Sequence, residues 1–144
     1  MRPRFVVDNS VVMTWCFRDQ ADPYADAVLE SLAAAEAVVP TIWPLEVVNV
    51  LLTAERKKLI HQANGVRFLG LLSQLPLFVE NDNPAKSMKD LLGLARAYHL
   101  SSYDAAYLDL AMKTGLPLAT LDEKLRQAAA STNVPLWTAA LQSR

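Results

Sequence analysis

Short apolar runs rich in β-branched and aromatic residues recur along this chain, separated by stretches with helical spacing, and no other feature restricts its fold as strongly. The runs are Phe5-Val6-Val7, Ala37-Val38-Val39, Leu77-Phe78-Val79, Pro117-Leu118-Ala119-Thr120 and Val134-Pro135-Leu136-Trp137. Runs this short and this apolar read as strands buried on both faces. Asp8-Asn9-Ser10 offers caps for a helix from Val11 to Phe17, and Asp22-Pro23 opens another, to about Glu36. Further helices are expected from Trp43 to about Leu59, His61 to Gln74, Pro84 to about Tyr98, Tyr103 to Thr114 and Asp122 to Ala130. In the Trp43 helix, Leu45, Val48, Leu51, Leu52 and Leu59 follow the spacing of a buried face. Strands separated by helices make a parallel sheet covered on both sides, and such sheets carry their sites beyond the carboxyl ends of the strands.

Four acids fall on that edge. Asp8 directly follows the first strand, and Asp122 follows Leu118-Ala119-Thr120-Leu121. Glu46 sits within Ile42-Trp43-Pro44-Leu45-Glu46-Val47-Val48, with no Lys or Arg within eight positions. Asp104 is the second residue of its helix and precedes Ala105-Ala106-Tyr107. A carboxylate in apolar surroundings costs several kcal/mol unless it is paired or ligates a metal. Each also has an ordinary reading: Asp8 and Asp122 can cap the helices they precede, and Asp104 and Glu46 suit the positive end of a helix. Their joint position on one edge favours a metal site. Oxygen ligands of this kind suit Mg²⁺ or Mn²⁺, not zinc, and support attack of water on a phosphodiester. Asn9, Ser10 and Thr120 are polar neighbours that either orient these ligands or serve only as caps and turns. Asp109, five positions after Asp104, points to a different face and is left out of the set.

Length and composition set the remaining bounds. A chain of 144 residues fits one domain, and 52% hydrophobic content supports a core without disulfides. The single Cys16 forms no internal bridge, and no apolar run reaches the ~18 residues of a membrane span. The opening Met-Arg-Pro-Arg and its three-residue apolar run are too short for a signal peptide, so a cytoplasmic location is expected. The net charge of -1 gives no basic footprint for nucleic acid. Setting the four acids aside leaves about +3 on the rest, and bound cations would themselves attract phosphate. Arg18 and the Arg56-Lys57-Lys58 run are candidates for gripping RNA, although the run also reads as a solvated helix end.

Four pieces together resemble a PIN-domain ribonuclease, specifically the VapC-type toxin of a toxin–antitoxin pair. They are Phe5-Val6-Val7-Asp8-Asn9-Ser10-Val11, Trp43-Pro44-Leu45-Glu46-Val47-Val48-Asn49-Val50-Leu51, Ser102-Tyr103-Asp104-Ala105-Ala106-Tyr107-Leu108 and Pro117-Leu118-Ala119-Thr120-Leu121-Asp122. Each is weak alone; their order and spacing are specific. The resemblance implies one three-layer α/β/α sandwich with a mainly parallel sheet over residues 1–144. It implies that Asp8, Glu46, Asp104 and Asp122 bind Mg²⁺ or Mn²⁺ and cleave RNA endonucleolytically. It also implies a homodimer and a cognate antitoxin that fills the acidic groove. Thr120 matches a polar position usual two residues before the last acid.

Other classes fit less well. A non-catalytic PIN-like binding module would keep the acids without cutting. A receiver-type signalling domain wants an Asp after its middle strand, where Leu77-Phe78-Val79 is followed by Glu80. A phosphatase with two Asp two residues apart meets Ser10 at the second position.

Overall fold

The computed structural model describes residues 2–81 and 83–138, without the Arg18 side chain, so the expectation of one domain over 1–144 reaches past the described residues at both ends. Four strands form one parallel sheet: β1 (Arg4–Val7), β2 (Glu36–Val39), β3 (Leu77–Val79) and β4 (Leu118–Ala119), in the order β3-β2-β1-β4. The chain builds outward from β1 to β3 and then crosses back to place β4 on the other side of β1. The order therefore reverses between β1 and β4, where an open α/β sheet leaves a crevice at its carboxyl edge. A receiver domain places its third strand beside its first; here β2 and β4 flank β1, so the topology is a different one.

Alternation along β1 divides the core. Phe5 and Val7 face a cluster with α1 (Asn9–Cys16), α2 (Pro23–Ser31), α3 (Trp43–Arg56) and α4 (Gln62–Leu72). Val6 faces Tyr107, Leu108, Leu125 and Ala129, which belong to α6 (Ser102–Thr114) and α7 (Glu123–Ser131). Between β3 and α6, α5 (Pro84–Tyr98) buries no residue fully and packs against α6. The result is the three-layer α/β/α sandwich. Both cores are dominated by residues at or near zero exposure, and burial at roughly 25 cal/mol per Å² of apolar surface is what holds the layers.

Several local expectations are corrected. The second helix stops at Ser31, because the chain must turn through 32–34 to deliver Glu36 into β2. The fifth strand reduces to a single parallel bridge between Leu118 and Leu136; Pro135 has no N–H to extend a ladder. In α3 the buried face is Val47, Leu51 and Ala54, whereas Leu45, Val48, Leu52 and the following Leu59 are exposed. The helix is apolar on two faces, and spacing alone did not say which meets the sheet. Trp137 is core, stacked on Phe5 with ring centroids 4.4 Å apart.

Candidate active site

Asp8 leaves the carboxyl end of β1 and caps α1. It is 3% exposed, and its Oδ1 accepts from the Ser10 backbone N–H at 3.1 Å and the Ser10 hydroxyl at 2.5 Å. Its Oδ2 accepts from the Thr120 hydroxyl at 2.7 Å. Thr120, fully buried just past β4, accepts in turn from the Asp122 N–H at 3.0 Å. The Ser10 hydroxyl accepts from the Leu121 N–H at 2.9 Å. These bonds stitch the ends of β1 and β4 together at the switch point and fix Asp8 against Asp122's backbone.

Asp122 caps α7, its Oδ1 accepting from the Leu125 N–H at 2.8 Å. Asp104 lies in the first turn of α6, where Ser101 caps the helix by accepting from the Asp104 N–H at 3.1 Å. Glu46 lies in the first turn of α3, and its Oε1 accepts from the Tyr107 hydroxyl at 2.6 Å. The capping readings of Asp8 and Asp122 thus hold, and the same carboxylates also share an electrostatic field.

The charges that act on these acids are those of the other acids. Burial, reinforced by the charge of Asp104, pushes the Asp8 carboxyl up to about 7 against the pull of Ser10 and Thr120. Burial raises Glu46, opposed by the Tyr107 hydrogen bond and reinforced by Asp104. Burial and the charge of Asp122 raise Asp104. Asp104 is therefore the hub that couples to each of the other three. Tyr107, 1% exposed, is raised by burial, then by Glu46, Asp8 and Asp104, so its phenol stays protonated as a donor. Among the described residues, no ion pair reaches any of the four acids. Nor do three His, Cys, Asp or Glu side chains among them form a ready-made metal cage; the acids are coupled in pairs through Asp104.

Ser10 and Thr120 do touch Asp8, while Asn9 does not: both polar atoms of its amide are buried and without a hydrogen-bond partner. Asp109 is elsewhere, bonded to Lys113 at 2.9 Å on the α5–α6 side. Tyr107 was missed as a site residue because a Tyr in an apolar helix reads as core. Its position three residues after Asp104, on the same helix face, was the available signal. Arg126 is a second omission: its Nε donates to the Thr120 carbonyl at 2.8 Å and its guanidinium lies 4.9 Å from the Tyr24 ring centroid.

A family model described as the PIN domain matches residues 5–131. Ribonuclease VapC3 of Pyrobaculum aerophilum is 27% identical over 124 residues, which span 86% of this chain and 93% of that protein. The crystal structure of PAE2754 from Pyrobaculum aerophilum matches with a TM-score of 0.70 at 23% identity, covering 100% of this chain and 97% of that one.

Proposed function

This chain belongs to the PIN-domain family, and from that premise we propose that it is a divalent-metal-dependent endoribonuclease of the VapC type, centred on Asp8, Glu46, Asp104 and Asp122. The observation that carries the reading is Asp8: a buried carboxylate in the field of Asp104, with only hydroxyl and amide donors around it.

The residues fit a divalent cation. Their donors are all carboxylate oxygens, and like charges raise one another's pKa values unless a cation offsets them. Mg²⁺ commonly takes one or two carboxylates and completes its shell with water and substrate phosphate, so coupling in pairs suffices. Asp8, Glu46, Asp104 and Asp122 would hold Mg²⁺ or Mn²⁺, which when bound lowers the pKa of an attacking water and neutralises charge on the phosphodiester.

The chain's own contribution is positioning. Ser10 and Thr120 fix both oxygens of Asp8, and the Tyr107 phenol fixes Glu46 Oε1, leaving Oε2 for the site. Asp104, at the centre of the coupling, is the carboxylate whose ionisation most affects the others. Asp122 commits Oδ1 to its helix and keeps Oδ2 for the site.

The same reading makes the protein a cytoplasmic toxin, acting as a homodimer and restrained by a cognate antitoxin. Support for the dimer is the exposed stripe Leu45, Val48 and Leu52 along α3, an apolar face of the kind that marks association. No helix among the described residues is long and apolar enough to cross a membrane. The test is cleavage of total RNA by purified protein with Mg²⁺ or Mn²⁺, compared with Asp8→Asn and Asp104→Asn. Ion-dependent cleavage lost in both variants is expected; cleavage that survives both removes the assignment.

A further inference from the structure

Arg126 lies on α7, half-buried, and among the described residues no carboxylate pairs with it. Its position is nevertheless fixed. Nε donates to the Thr120 carbonyl at 2.8 Å, and the guanidinium lies over the Tyr24 ring, 4.9 Å from the centroid. Tyr24 is itself anchored, its hydroxyl donating to the Trp137 carbonyl at 2.9 Å. Taking a cation out of water is costly unless it is paired. Arg4 and Lys113 do have partners: Arg4 meets Glu36 and Glu80, and Lys113 meets Asp90 and Asp109. A guanidinium carries five N–H donors in a rigid fork, and the bond to Thr120 uses only the one on Nε. Among the described residues, no acceptor meets Nη1 or Nη2.

This fork stands beside the proposed hydrolytic centre. Thr120 joins the two: its carbonyl accepts from Arg126, and its hydroxyl donates to Asp8 Oδ2 at 2.7 Å. Burial pushes the Tyr24 phenol up to about 12, while Arg126 pulls it down and Asp8 pushes it up, so one ring senses both charges. Arg126 is not among the charges that act on Asp8, Glu46 or Asp104, so it does not stand in for a cation there. We propose that the Arg126 guanidinium binds the RNA phosphate next to the scissile one, Nη1 and Nη2 each donating to a non-bridging oxygen; the proposal rests on the ribonuclease reading above. A planar fork already stacked and oriented matches two phosphate oxygens and loses little freedom on binding them. The Arg56-Lys57-Lys58 run lacks that fixing: all three are exposed, and Arg56 reaches Thr53 at 3.5 Å on the surface. A purely structural arginine would need only the Thr120 and Tyr24 contacts, and the two roles separate by experiment.

The experiment uses Mn²⁺-dependent cleavage of an oligoribonucleotide spanning a site cut in total RNA, with single methylphosphonates scanned through every phosphate except the scissile one. In the wild type, one methylphosphonate adjacent to the cut is expected to raise KM about tenfold with kcat nearly unchanged, the scale of one lost charge-assisted bond. Arg126→Gln should raise KM to the same degree on unmodified RNA, and Arg126→Lys somewhat less. Neither should add anything on that methylphosphonate RNA. The slope of log KM against log salt should fall by roughly 0.7 in Arg126→Gln and stay at the wild-type value in Arg126→Lys, which keeps the charge. Half-maximal Mn²⁺ should be unchanged in both, because Arg126 touches no acid. If no methylphosphonate beside the cut raises KM in the wild type, the phosphate assignment is overturned and the nuclease stands. Losses in the variants that multiply with that methylphosphonate, that fall on kcat alone, or that shift the Mn²⁺ midpoint also overturn it, and leave Arg126 as a strut for Thr120. If the wild type cleaves no total RNA with Mn²⁺, the ribonuclease reading falls and takes this proposal with it.

Discussion

The Tyr107 hydroxyl donates to Glu46 Oε1 at 2.6 Å, joining the first turn of α3 to the middle of α6 across the carboxyl edge of the sheet. It is a direct bond between the two helices that contribute acids without following a strand. Tyr107→Phe keeps the ring packing and removes only this donor. Supporting bonds of this kind are worth roughly 10–100-fold in metal affinity or activity. The variant should need about tenfold more Mn²⁺ for half-maximal cleavage, with Tm lowered slightly. A manganese titration identical to the wild type would mean that Glu46 does not depend on Tyr107.

Asp8 makes stability depend on pH in an unusual direction. Its carboxyl, ordinarily near 3.8, stands at about 7 in the folded protein, so between those values the folded state holds a proton that the unfolded chain releases. The contribution of Asp8 to stability is therefore fully present below about 4, falls as pH rises through about 7, and levels above it; roughly 4 kcal/mol is the upper bound for one such group. Glu46 and Asp104, also raised, act in the same sense. Denaturant unfolding in EDTA at several pH values should show the decline, and Asp8→Asn should flatten much of it. Adding Mn²⁺ should stabilise the wild type more at pH 8 than at pH 5, because ligands bind ions deprotonated. An ion-free protein that gains stability from pH 5 to 8 contradicts this account of Asp8.

Thr120→Val is nearly isosteric and removes one hydroxyl with two roles, donor to Asp8 and acceptor from the Asp122 N–H. It should cost about 1–3 kcal/mol, the penalty of leaving a buried partner unpaired. Cleavage should fall at least tenfold, while Thr120→Ser restores most of both. Thermal melts and kcat on one RNA decide it. Full activity in the valine variant would show that the hydroxyl only completes a turn.

Much of this architecture was legible in the sequence, for identifiable reasons. Phe5-Val6-Val7 and Ala37-Val38-Val39 are apolar at every position because both sheet faces are covered, and an acid directly after such a run has one place to go. Glu46 stood out because nothing basic lies near it in the chain. What stayed hidden was whatever depends on which face of an element meets which neighbour. The exposed stripe on α3 and the buried face beside it are both apolar, so Leu45 and Leu52 looked like core. Tyr107 looked like core and is core, yet its hydroxyl reaches Glu46 across 61 positions. The Asn9 amide, beside Asp8 in the chain, looked like a supporting donor and bonds to nothing.

The α3 stripe gives a prediction of its own. Leu45, Val48 and Leu52 lie on one helix face and are 75%, 44% and 48% exposed. Leu45→Lys with Leu52→Lys should convert a dimer to a monomer in sedimentation equilibrium without lowering far-UV helix content. A wild type already monomeric at high concentration would remove this surface as the dimer contact.

The most direct measurement of the central claim is Mn²⁺ affinity by calorimetry at pH 8 for the wild type and for Asp8→Asn, Glu46→Gln, Asp104→Asn and Asp122→Asn, each paired with its RNA cleavage rate. One shared centre predicts that every substitution weakens Mn²⁺ binding by about tenfold or more and abolishes cleavage, and that combining Asp8→Asn with Asp104→Asn costs far less than the sum of the two. Wild-type Mn²⁺ affinity and cleavage in any of the four would contradict it.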